Sequence, residues 1–546
     1  MKTPILGSAY VARSVNAADN RMVNLFPEIV PEGGKEPAFL QRAPGLTALA
    51  TIGTGPIRGL WTYGSYGGYG YAVSGTTLYQ IDSNWSAVAK GTVGGSGPVS
   101  MADNGTQLFI AANPQGYIYN ASTDVFQQIT DPDFPGAATV GYIDGYFTFN
   151  EPNSQKIWVT QLLDGTSVDP LEFASAEGNP DNVVAVFVDH REVWVFGTNS
   201  TEVWYDAGLL DFPLARIQGA FNELGCAAPY SIAKMDNQVY WLGKDARGQG
   251  IVYKAAGYIG QRVSTHAIEW QMQEYADLTD AVGYTYQQDG HSFYVLNFPS
   301  ANTTWVFDVA TGAWHERASL NNGQFNRHRA NSQMFFNSTT VVGDYENGKI
   351  YEFDLSVYAD DGEAQKWLRS WRALPTGANT LARTIQHSMQ LDCETGVGLN
   401  DYPAYAAEDL ATESGDILVA QFVQGYLTTQ GGDQLVTEAN DNNNPLVTQV
   451  QPAEDYNGYA LETEAYLEAP GYNPQVMLRW SDDGGHTFSN EHWKSMGRIG
   501  NYGKRTIWRR LGATMKIRDR VYEVSGTDPV RIYIMGAELL LSGTSA

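Results

Sequence analysis

Cysteine is scarce in this sequence of 546 residues, and long apolar runs are missing. The two cysteines, Cys226 and Cys393, are too few for a disulfide framework, and no Cys or His spacing matches a zinc site. No stretch is long enough to span a membrane, and we expect no signal peptide because the first residues, MKTPILGSAYVARSVNAADN, contain no apolar core. These absences predict a chain that folds around a hydrophobic core without cross-links, metal or lipid.

Positive charge is also sparse, with 34 Lys and Arg against 60 Asp and Glu and a net charge of −26. Phosphate binding depends on Lys and Arg, so this balance argues against a general nucleic-acid-binding protein. The imbalance is local: residues 384–478 contain 15 acidic residues and no Lys or Arg, whereas residues 479–546 contain 11 basic and 7 acidic residues. Such an acidic stretch is typical of a solvated face or loose insertion, or of a surface that must not adhere to a polyanion.

Glycine and aromatic residues are abundant, with 57 Gly, 32 Tyr, 21 Phe and 14 Trp, and they follow a repeat. A short apolar strand, a turn with Gly or Asp-Gly, an aromatic strand, a second turn and a further strand recur from near residues 57, 98, 138, 183, 230, 279 and 330. A period of roughly 40–50 residues is that of a four-stranded β-propeller blade. Six or seven blades fit residues 51–365, preceded by an extended segment at 1–50.

The repeat stops beyond Asp360. The segment ARTIQHSMQLDCETGVG predicts one long strand, and clear strands resume at Gln475. We interpret 366–396 together with 461–546 as a β-sandwich-like domain, and the acidic stretch at 397–460 as an inserted loop or tip. The predicted fold class is therefore all-β, a propeller followed by a sandwich-like domain.

Residues 481–488 match the Asp-box pattern S-x-D-x-G-x-T-W, with Phe in the place of Trp. In such a hairpin turn the Ser and Asp side chains bond loop backbone groups, Gly permits a positive φ, and the aromatic ring packs beneath. Asp-boxes occur in sialidases away from the catalytic site, so one copy predicts a structural hairpin and not a glycosidase. The residues concerned are Ser481, Asp483, Gly485, Thr487 and Phe488.

Signatures of catalysis and of metal binding are missing from the sequence. No pair of carboxylates stands out as the acid and nucleophile of a glycosidase, and the eight histidines lack H-x-H or H-E-x-x-H spacing. There is no G-x-S-x-G elbow and no Walker A loop. These sequence patterns therefore give little support to an enzyme, a cofactor site or a metal site.

The densest basic tract lies near the C-terminus. It contains Lys504, Arg505, Arg509, Arg510, Lys516, Arg518 and Arg520. The tract is consistent with a solvated hairpin, with a docking surface for an acidic partner or neighbouring subunit, or with DNA contact. DNA contact is the weakest of the three because the field of a strongly acidic chain opposes it.

Several long blocks together resemble a known family. They are NRMVNLFPEIVPEGGKEPAFLQRAPGL, DPLEFASAEGNPDNVVAVFVDHREVWVFGTNSTEVWYDAG, DFPLARIQGAFNELGCAAPYSIAKMDNQVYWLG, GQRVSTHAIEW and the ending from LRWSDDGGHTFSNEHW to RIYIMGAELLL. Over most of its length, except about 397–460, the chain resembles the tail nozzle, or packaged-DNA stabilisation, proteins of short-tailed bacteriophages.

The resemblance implies a structural virion protein with a propeller and added β domains. Such proteins form homohexameric rings at the distal end of the tail, below the portal adaptor, and are assembled in the bacterial cytoplasm. They retain packaged DNA and later release it into the host, and they help seat tail fibres or spikes and a needle or plug. For this chain the resemblance implies passage of double-stranded DNA without specific binding, no stable membrane insertion and no catalytic residue to carry over.

In such a ring we expect the acidic insertion at 397–460 to repel the DNA that passes through. One segment per subunit would surround the DNA with negative charge and keep it from adhering to the wall. The candidate DNA-repelling residues are Glu408, Asp409, Glu413, Asp416, Asp433, Glu438 and Asp441.

Two other functions remain open at this point. The chain could be a carbohydrate-binding or glycan-degrading propeller that uses Trp and Tyr as sugar platforms, or a kelch-like adaptor. The tryptophans Trp194, Trp204, Trp241 and Trp305 lie within predicted strands, which favours a role in the blade core over a role in sugar binding.

Overall fold

A computed structural model describes residues 1–15, 17–63, 68–209, 212–375, 378, 383–399, 410–411, 417–418, 471–514 and 520–543. The chain forms two compact units. The larger comprises the described parts of Met1–Cys393, Val476–Lys494 and Thr506–Ala546, and the smaller those of Glu394–Gln475 and Ser495–Arg505. No helix in the described residues is both long and apolar enough to cross a membrane.

The first part of the chain forms six strands. They are β1 (Tyr10–Val11), β2 (Asp19–Asn20), β3 (Met22–Val23), β4 (Leu25–Ile29), β5 (Ala38–Arg42) and β6 (Gly45–Thr51).

Five four- or five-stranded sheets follow, each from consecutive strands. Blade 1 has β7 (Ile57–Thr62), β8 (Gly70–Ser74), β9 (Thr77–Ile81) and β10 (Ala87–Thr92). Blade 2 has β11 (Ser100–Asp103), β12 (Gln107–Ala112), β13 (Gln115–Asn120) and β14 (Val125–Gln128). Blade 3 has β15 (Val140–Ile143), β16 (Tyr146–Asn150), β17 (Lys156–Val159) and β18 (Phe173–Ser175). Blade 4 has β19 (Val183–Asp189), β20 (Glu192–Gly197), β21 (Thr201–Asp206) and β22 (Leu214–Asn222).

Blade 5 has an interrupted first strand. It contains β23 (Gly225–Cys226), β24 (Ala233–Met235), β25 (Gln238–Asp245), β26 (Gly248–Ala256) and β27 (Ile259–Arg262), with a 3₁₀ turn (Pro229–Ser231) between β23 and β24. Both β23 and β24 pair with β25. The helix α1 (His266–Gln273) follows this blade.

Blades 6 and 7 complete the propeller. Blade 6 has β28 (Val282–Gln288), β29 (His291–Phe298), β30 (Thr303–Asp308) and β31 (Ala313–Asn321), and β32 (Gln324–Arg327) pairs with β31. Blade 7 has β33 (Ala330–Phe336), β34 (Thr339–Asp344) and β35 (Lys349–Asp354), and the short strands β36 (Ala359–Asp360) and β37 (Glu363–Ala364) follow.

The remaining strands form the sandwich and a small hairpin. They are β38 (Trp367–Arg372), β39 (Thr384–Cys393), β40 (Leu410–Ala411), β41 (Ile417–Leu418), β42 (Gln475–Ser481), β43 (His492–Ser495), β44 (Thr506–Arg509), β45 (Val521–Gly526) and β46 (Tyr533–Gly543). β40 and β41 pair with each other.

The ring of blades is closed. First strands of neighbouring blades lie against each other, except between blades 4 and 5, where β20 lies against β23, and β33 of blade 7 lies against β7 of blade 1. Tight turns join first to second strands: Asp236 and Asn237 both have positive φ, as type I′ hairpins require. Seven blades in the described residues confirm the propeller predicted from the repeat.

Blade 7 takes its fourth strand from the N-terminal segment. β6 pairs antiparallel with β35, from Thr51 opposite Lys349 to Gly45 opposite Asp354. The expected division into an extended segment at 1–50 and a propeller at 51–365 is therefore wrong at this point. The reason is that an edge strand needs a pairing partner, and a strand from the distant N-terminus closes the ring.

The N-terminal segment also joins the propeller to the sandwich within the larger unit. β3 pairs in parallel with β31 of blade 6 and antiparallel with β38, so blade 6 continues through β3, β38, β45, β42 and β43 as one ten-stranded sheet. The second sheet has the order β4-β5-β46-β39-β44. The predicted β-sandwich is confirmed, and it contains three strands from the first 42 residues.

The smaller unit differs from the predicted insertion at 397–460. Among the described residues it also takes 394–396, 471–475 and 495–505, which the sequence assigned to the sandwich. Backbone hydrogen bonds account for this grouping: Gly500 N–H donates to Gly396, and Leu399 N–H donates to Gly471.

Candidate interaction surfaces

The turn at 481–488 is held by its own side chains. The Ser481 hydroxyl donates to Asp483 (2.6 Å), and it accepts the N–H of Gly485 (2.8 Å). Asp483 also accepts the N–H of His486 (3.0 Å) and both the N–H and hydroxyl of Thr487 (2.9 and 2.6 Å). The hydrogen bond from Ser481, followed by those from Thr487, holds the pKa of Asp483 well below its usual range. These hydrogen bonds all come from residues of the turn, so the Asp483 carboxylate serves to stabilise the turn.

The remaining turn residues serve packing. Gly485 has φ +105°, and a Cβ there would lie 2.6 Å from the carboxylate of Asp19. Phe488 is half-buried, and the Arg479 guanidinium lies 4.7 Å from its ring centre. This geometry anchors the hairpin between β42 and β43 and presents no catalytic group.

Arg520 is not available for docking. It is 2% exposed, and its guanidinium forms a two-point ion pair with Asp482 (2.6 and 2.7 Å) and donates to the carbonyl of Leu511 (2.7 Å). Burial lowers the pKa of Arg520, but the hydrogen bond and charge of Asp482 outweigh it and raise that pKa overall. The prediction of Arg520 as a docking residue is therefore wrong, because the sequence does not reveal that Asp482 lies beside it.

The other basic residues divide between the units. Lys504 and Arg505 are exposed in the smaller unit, whereas Arg509 and Arg510 are exposed in the larger. Lys516 and Arg518 lie outside the described residues. The tract is thus not one continuous patch along a single strand.

Arg509 lies on an edge of the sandwich that the sequence did not single out. β43 ends the ten-stranded sheet and β44 ends the five-stranded sheet. The indole N–H of Trp508 donates to the carbonyl of His492 (2.7 Å), which brings the two edge strands together. Trp493 is 51% exposed on this edge. A tryptophan in the polar stretch SNEHWKS is a signal that could have located it. We name Trp493, Lys494, Arg509 and Arg510 the sandwich edge.

The predicted acidic lining cannot be placed. Glu408, Asp409, Glu413, Asp416, Asp433, Glu438 and Asp441 all lie outside the described residues. Their role stays a prediction.

Arg58 of blade 1 and Tyr230 of blade 5 interact electrostatically within the propeller. Arg58 of blade 1 donates to the carbonyls of Gly97, Gly75 and Gly94 at 2.6–3.0 Å. Burial raises the pKa of Tyr230, in the 3₁₀ turn of blade 5, to about 12, and the charge of Arg58 opposes the rise. Blades 1 and 5 are separated by two blades on one side of the ring and three on the other, so this interaction links distant blades.

Buried polar pairs inside the blades have structural partners. The ring of His291 bonds Asp308 (2.9 Å), which raises the pKa of His291, and Asp308 also accepts the hydroxyl of Thr311 (2.6 Å). Both His291 and Asp308 are buried. The described residues contain no cluster of three His, Cys, Asp or Glu that could hold a metal ion.

The tryptophans considered as sugar platforms are buried. Trp194, Trp204, Trp241 and Trp305 are each at most 6% exposed. They form blade cores, as the strand pattern indicates, and none offers a face to a sugar.

Comparison with family models decides the identity. Residues 1–358 match the model described as Bacteriophage P22 Gp10, beta-propeller, and residues 446–541 match that described as Bacteriophage P22 Gp10, beta-sandwich. The chain belongs to the P22 Gp10 family. The Gp10 family consists of structural proteins of the phage tail, so this chain is a virion structural protein, as its resemblance to the nozzle proteins indicated.

Other comparisons add little to the Gp10 assignment. No curated protein matches the sequence. Similar solved structures include U3-55K, at 12% identity over 57% of this chain and 100% of that chain, with a TM-score of 0.36. They also include virginiamycin B lyase from Staphylococcus aureus, at 10% identity over 61% and 99%, with a TM-score of 0.36. The extracellular domain of BT4673 from B. thetaiotaomicron matches at 10% identity over 88% and 58%, with a TM-score of 0.38. Likeness at this level carries no functional argument.

Proposed function

We propose that this protein is the tail nozzle of a short-tailed phage: a homohexameric ring at the distal end of the tail that retains packaged DNA and lets it leave during ejection. The observation that carries the proposal is the match to the P22 Gp10 family in both the propeller and the sandwich. Such a protein acts by assembly and by shaping a channel, so it needs no catalytic centre.

In this proposal DNA passes between subunits and not through a propeller. Arg58 of blade 1 and Tyr230 of blade 5 interact electrostatically although their blades are not neighbours in the ring. A ring of several copies supplies the lumen.

The sandwich edge is the proposed docking surface for a neighbouring subunit. Trp and Arg are the residue types that most often dominate protein–protein binding, and edge strands present unpaired backbone groups. Trp493, Arg509 and Arg510 are exposed there on a chain of net charge −26, so an acidic face of a second copy complements them. The portal adaptor and a fibre, spike or plug are the further proposed partners.

The acidic insertion is the proposed DNA-repelling wall. The 15 acidic residues at 384–478 are not balanced by any Lys or Arg in that stretch. A wall of this charge gives DNA no cations to exchange for its own counterions, so DNA slides past without being held. Retention then depends on closure of the channel and not on adhesion.

Electron microscopy tests the central proposal. The purified protein, alone and mixed with the portal adaptor of its phage, is imaged and its copies counted. Six-fold rings that bind the adaptor support a nozzle. A protein that stays monomeric with the adaptor contradicts it.

A second experiment separates DNA retention from mere attachment. Phage particles assembled without this protein are expected to package DNA and then lose it, which is measured as nuclease-sensitive DNA outside the heads. Particles that hold their DNA but fail to infect would contradict the retention role while leaving the structural one.

A further inference from the structure

A buried arginine between blades 6 and 7 has no anionic partner. Arg317 of β31 is 2% exposed. Among the described residues none of its three side-chain nitrogens has a hydrogen-bond partner, and it takes part in no ion pair there. Burying a guanidinium charge without a counter-charge costs roughly several kcal/mol of folding free energy. We therefore expect a negative charge beside Arg317.

Three aromatic rings surround the guanidinium but cannot complete its contacts. Its central carbon lies 5.4 Å from the ring centres of Tyr286 and Phe293 and 5.5 Å from that of Phe353. Ring faces attract a cation but offer no lone pair in the plane of its N–H groups. The Tyr286 hydroxyl reaches Arg317 without forming a well-aligned hydrogen bond, and because it is neutral it does not compensate the guanidinium charge.

Two buried histidines next to the same rings leave further polar atoms unpartnered. His315 is fully buried beside Phe293 (ring centres 5.9 Å apart), and neither ring nitrogen has a partner. His328 lies beside Phe353, also at 5.9 Å, and its Nε2 has no partner. The Nδ1 of His328 accepts the N–H of Ala330 (3.3 Å), so the neutral ring carries its proton on Nε2.

Donors therefore outnumber acceptors at this place. Arg317 brings only donors, His328 brings a donor at Nε2, and His315 brings one more in either neutral form. Burial, and after it the charge of Arg317, holds the pKa of both histidines below the usual value, so neither adds charge. The buried carboxylates of blades 6 and 7 bond other groups: Asp308 bonds His291, and Asp344 accepts the hydroxyl of Tyr351 (2.7 Å).

We propose that a small monovalent anion of the halide class, chloride under ordinary conditions, is bound between Arg317, His315 and His328. An anion accepts from several donors at once and cancels the guanidinium charge, which a water molecule does not do. A site walled by three aromatic rings and closed to solvent suits a weakly hydrated single ion over phosphate or a carboxylate. The ion would tie β31 of blade 6 to β35 of blade 7, beside the strand β6 that closes the ring.

Long-wavelength anomalous diffraction on crystals of the wild-type protein grown in chloride tests the site directly. The expected result is an anomalous peak within hydrogen-bonding distance of the Arg317 nitrogens. Density for water without an anomalous signal, or no density, overturns the proposal. This measurement needs no variant.

A stability series gives an independent test. Thermal unfolding is followed at constant ionic strength while gluconate is replaced by chloride. The expected rise in Tm is about 2 °C per tenfold increase in chloride above the dissociation constant. Arg317→Met removes the charge and keeps the length of the side chain, so the variant is expected to lose this rise. An equal rise in both proteins overturns the proposal, and if the variant does not fold, the diffraction result decides alone.

Discussion

Individual side chains connect segments of this protein that lie far apart in the sequence. The guanidinium of Arg42 is fully buried and donates to the carbonyls of Tyr358 (3.0 Å) and Val530 (2.9 Å) and to the side chain of Gln365 (3.1 Å). Burial lowers the pKa of Arg42 to about 10, yet the group stays charged at neutral pH. One residue of β5 thereby organises the region where β36, β37 and β46 meet the N-terminal strands.

Gly485→Ala tests the hairpin at residue scale. The positive φ and the carboxylate of Asp19, 2.6 Å from the new Cβ, are expected to cost about 1–3 kcal/mol in the free energy of unfolding. Denaturant unfolding measures the change. Gly503→Ala is the control, because a Cβ there meets nothing within 4 Å and needs no positive φ. Equal stability of the two variants would contradict the turn's role in packing.

His328 predicts a pH dependence of stability. Burial lowers the pKa of His328 to about 3, below the value near 6.5 of the unfolded chain. The unfolded state therefore binds the proton first, and stability falls as the pH drops from about 6.5 towards 3, by about 1.4 kcal/mol per pH unit for this site. His315 acts in the same direction, whereas Asp308 raises the pKa of His291, which acts in the opposite direction.

Unfolding measured between pH 7 and pH 4 checks this dependence. The variant His328→Gln is expected to show a shallower decline than the wild type by about one proton's slope. An unchanged slope would mean that the pKa of His328 is the same in the folded and the unfolded protein, which would contradict this prediction.

At the scale of elements, short N-terminal strands decide how the large pieces join. β3 has only two residues, yet it lies between blade 6 and the sandwich. Beside it, the Asn24 side chain donates to the carbonyls of Ala318 and Lys366, both at 2.8 Å. β6 closes the ring of blades, so the ends of the propeller are held by pairing between residues about 300 positions apart.

Leu46→Ala tests the closing strand. Leu46 is 1% exposed and packs in the core between blades 6 and 7 with Phe353 and Phe26. Removing its side chain is expected to lower the free energy of unfolding by about 2–5 kcal/mol. Ala48→Ser, at an exposed position of the same strand, is the control and is expected to change little. Calorimetry that finds no difference between them would show that β6 is dispensable.

The sandwich edge makes a prediction for assembly. The double variant Trp493→Ala with Arg510→Glu is expected to weaken self-association at least roughly tenfold, because both residue types are frequent hot spots. Arg247→Glu is the matched control, since its side chain is 86% exposed on blade 5. Analytical ultracentrifugation gives the association constants, and circular dichroism checks that all variants are folded. Equal weakening by the control would point to net charge and not to the edge.

At the scale of the whole molecule, charge is divided along the chain. The acidic stretch at 384–478 contrasts with a C-terminal part that is net positive. Within the positive part, Arg520 and Arg479 form ion pairs with Asp482 and Glu523 inside the fold. Each pair cancels one acidic and one basic charge, so the net charge of this part is unchanged while fewer basic groups are available to a partner than the sequence indicates.

Neutralising the acidic insertion tests the repelling wall. Changing the seven candidate acids at 408–441 to Asn or Gln is expected to raise the amount of DNA that the assembled protein retains, because the wall then no longer repels the phosphates. Filter binding measures retention, and ejection from particles is expected to slow. The control neutralises an equal number of exposed propeller acids, Asp133 and Glu223 among them. Unchanged DNA retention and ejection would rule out the repelling wall.

The sequence alone determined the features that depend on local pattern. Strand alternation, turn residues and the period of 40–50 residues predict each blade, because a hairpin is specified by residues close together in the chain. The Asp-box turn is local in the same sense, since Ser481, Asp483 and Thr487 bond one another. The long sequence stretches quoted above, which resemble tail nozzle proteins, indicated the family.

Contacts between residues that are distant in the sequence appear only in the folded protein. No local pattern shows that β6 completes blade 7 or that the buried Arg520 forms an ion pair with Asp482. Nor does any local pattern show that Arg317 lies among aromatic rings from two blades. Each follows from edge strands and buried charges that take whatever partner the folded chain brings to them. The physical reason is that strand alternation and turn chemistry act between near neighbours, whereas pairing and charge compensation act between residues that meet only after folding.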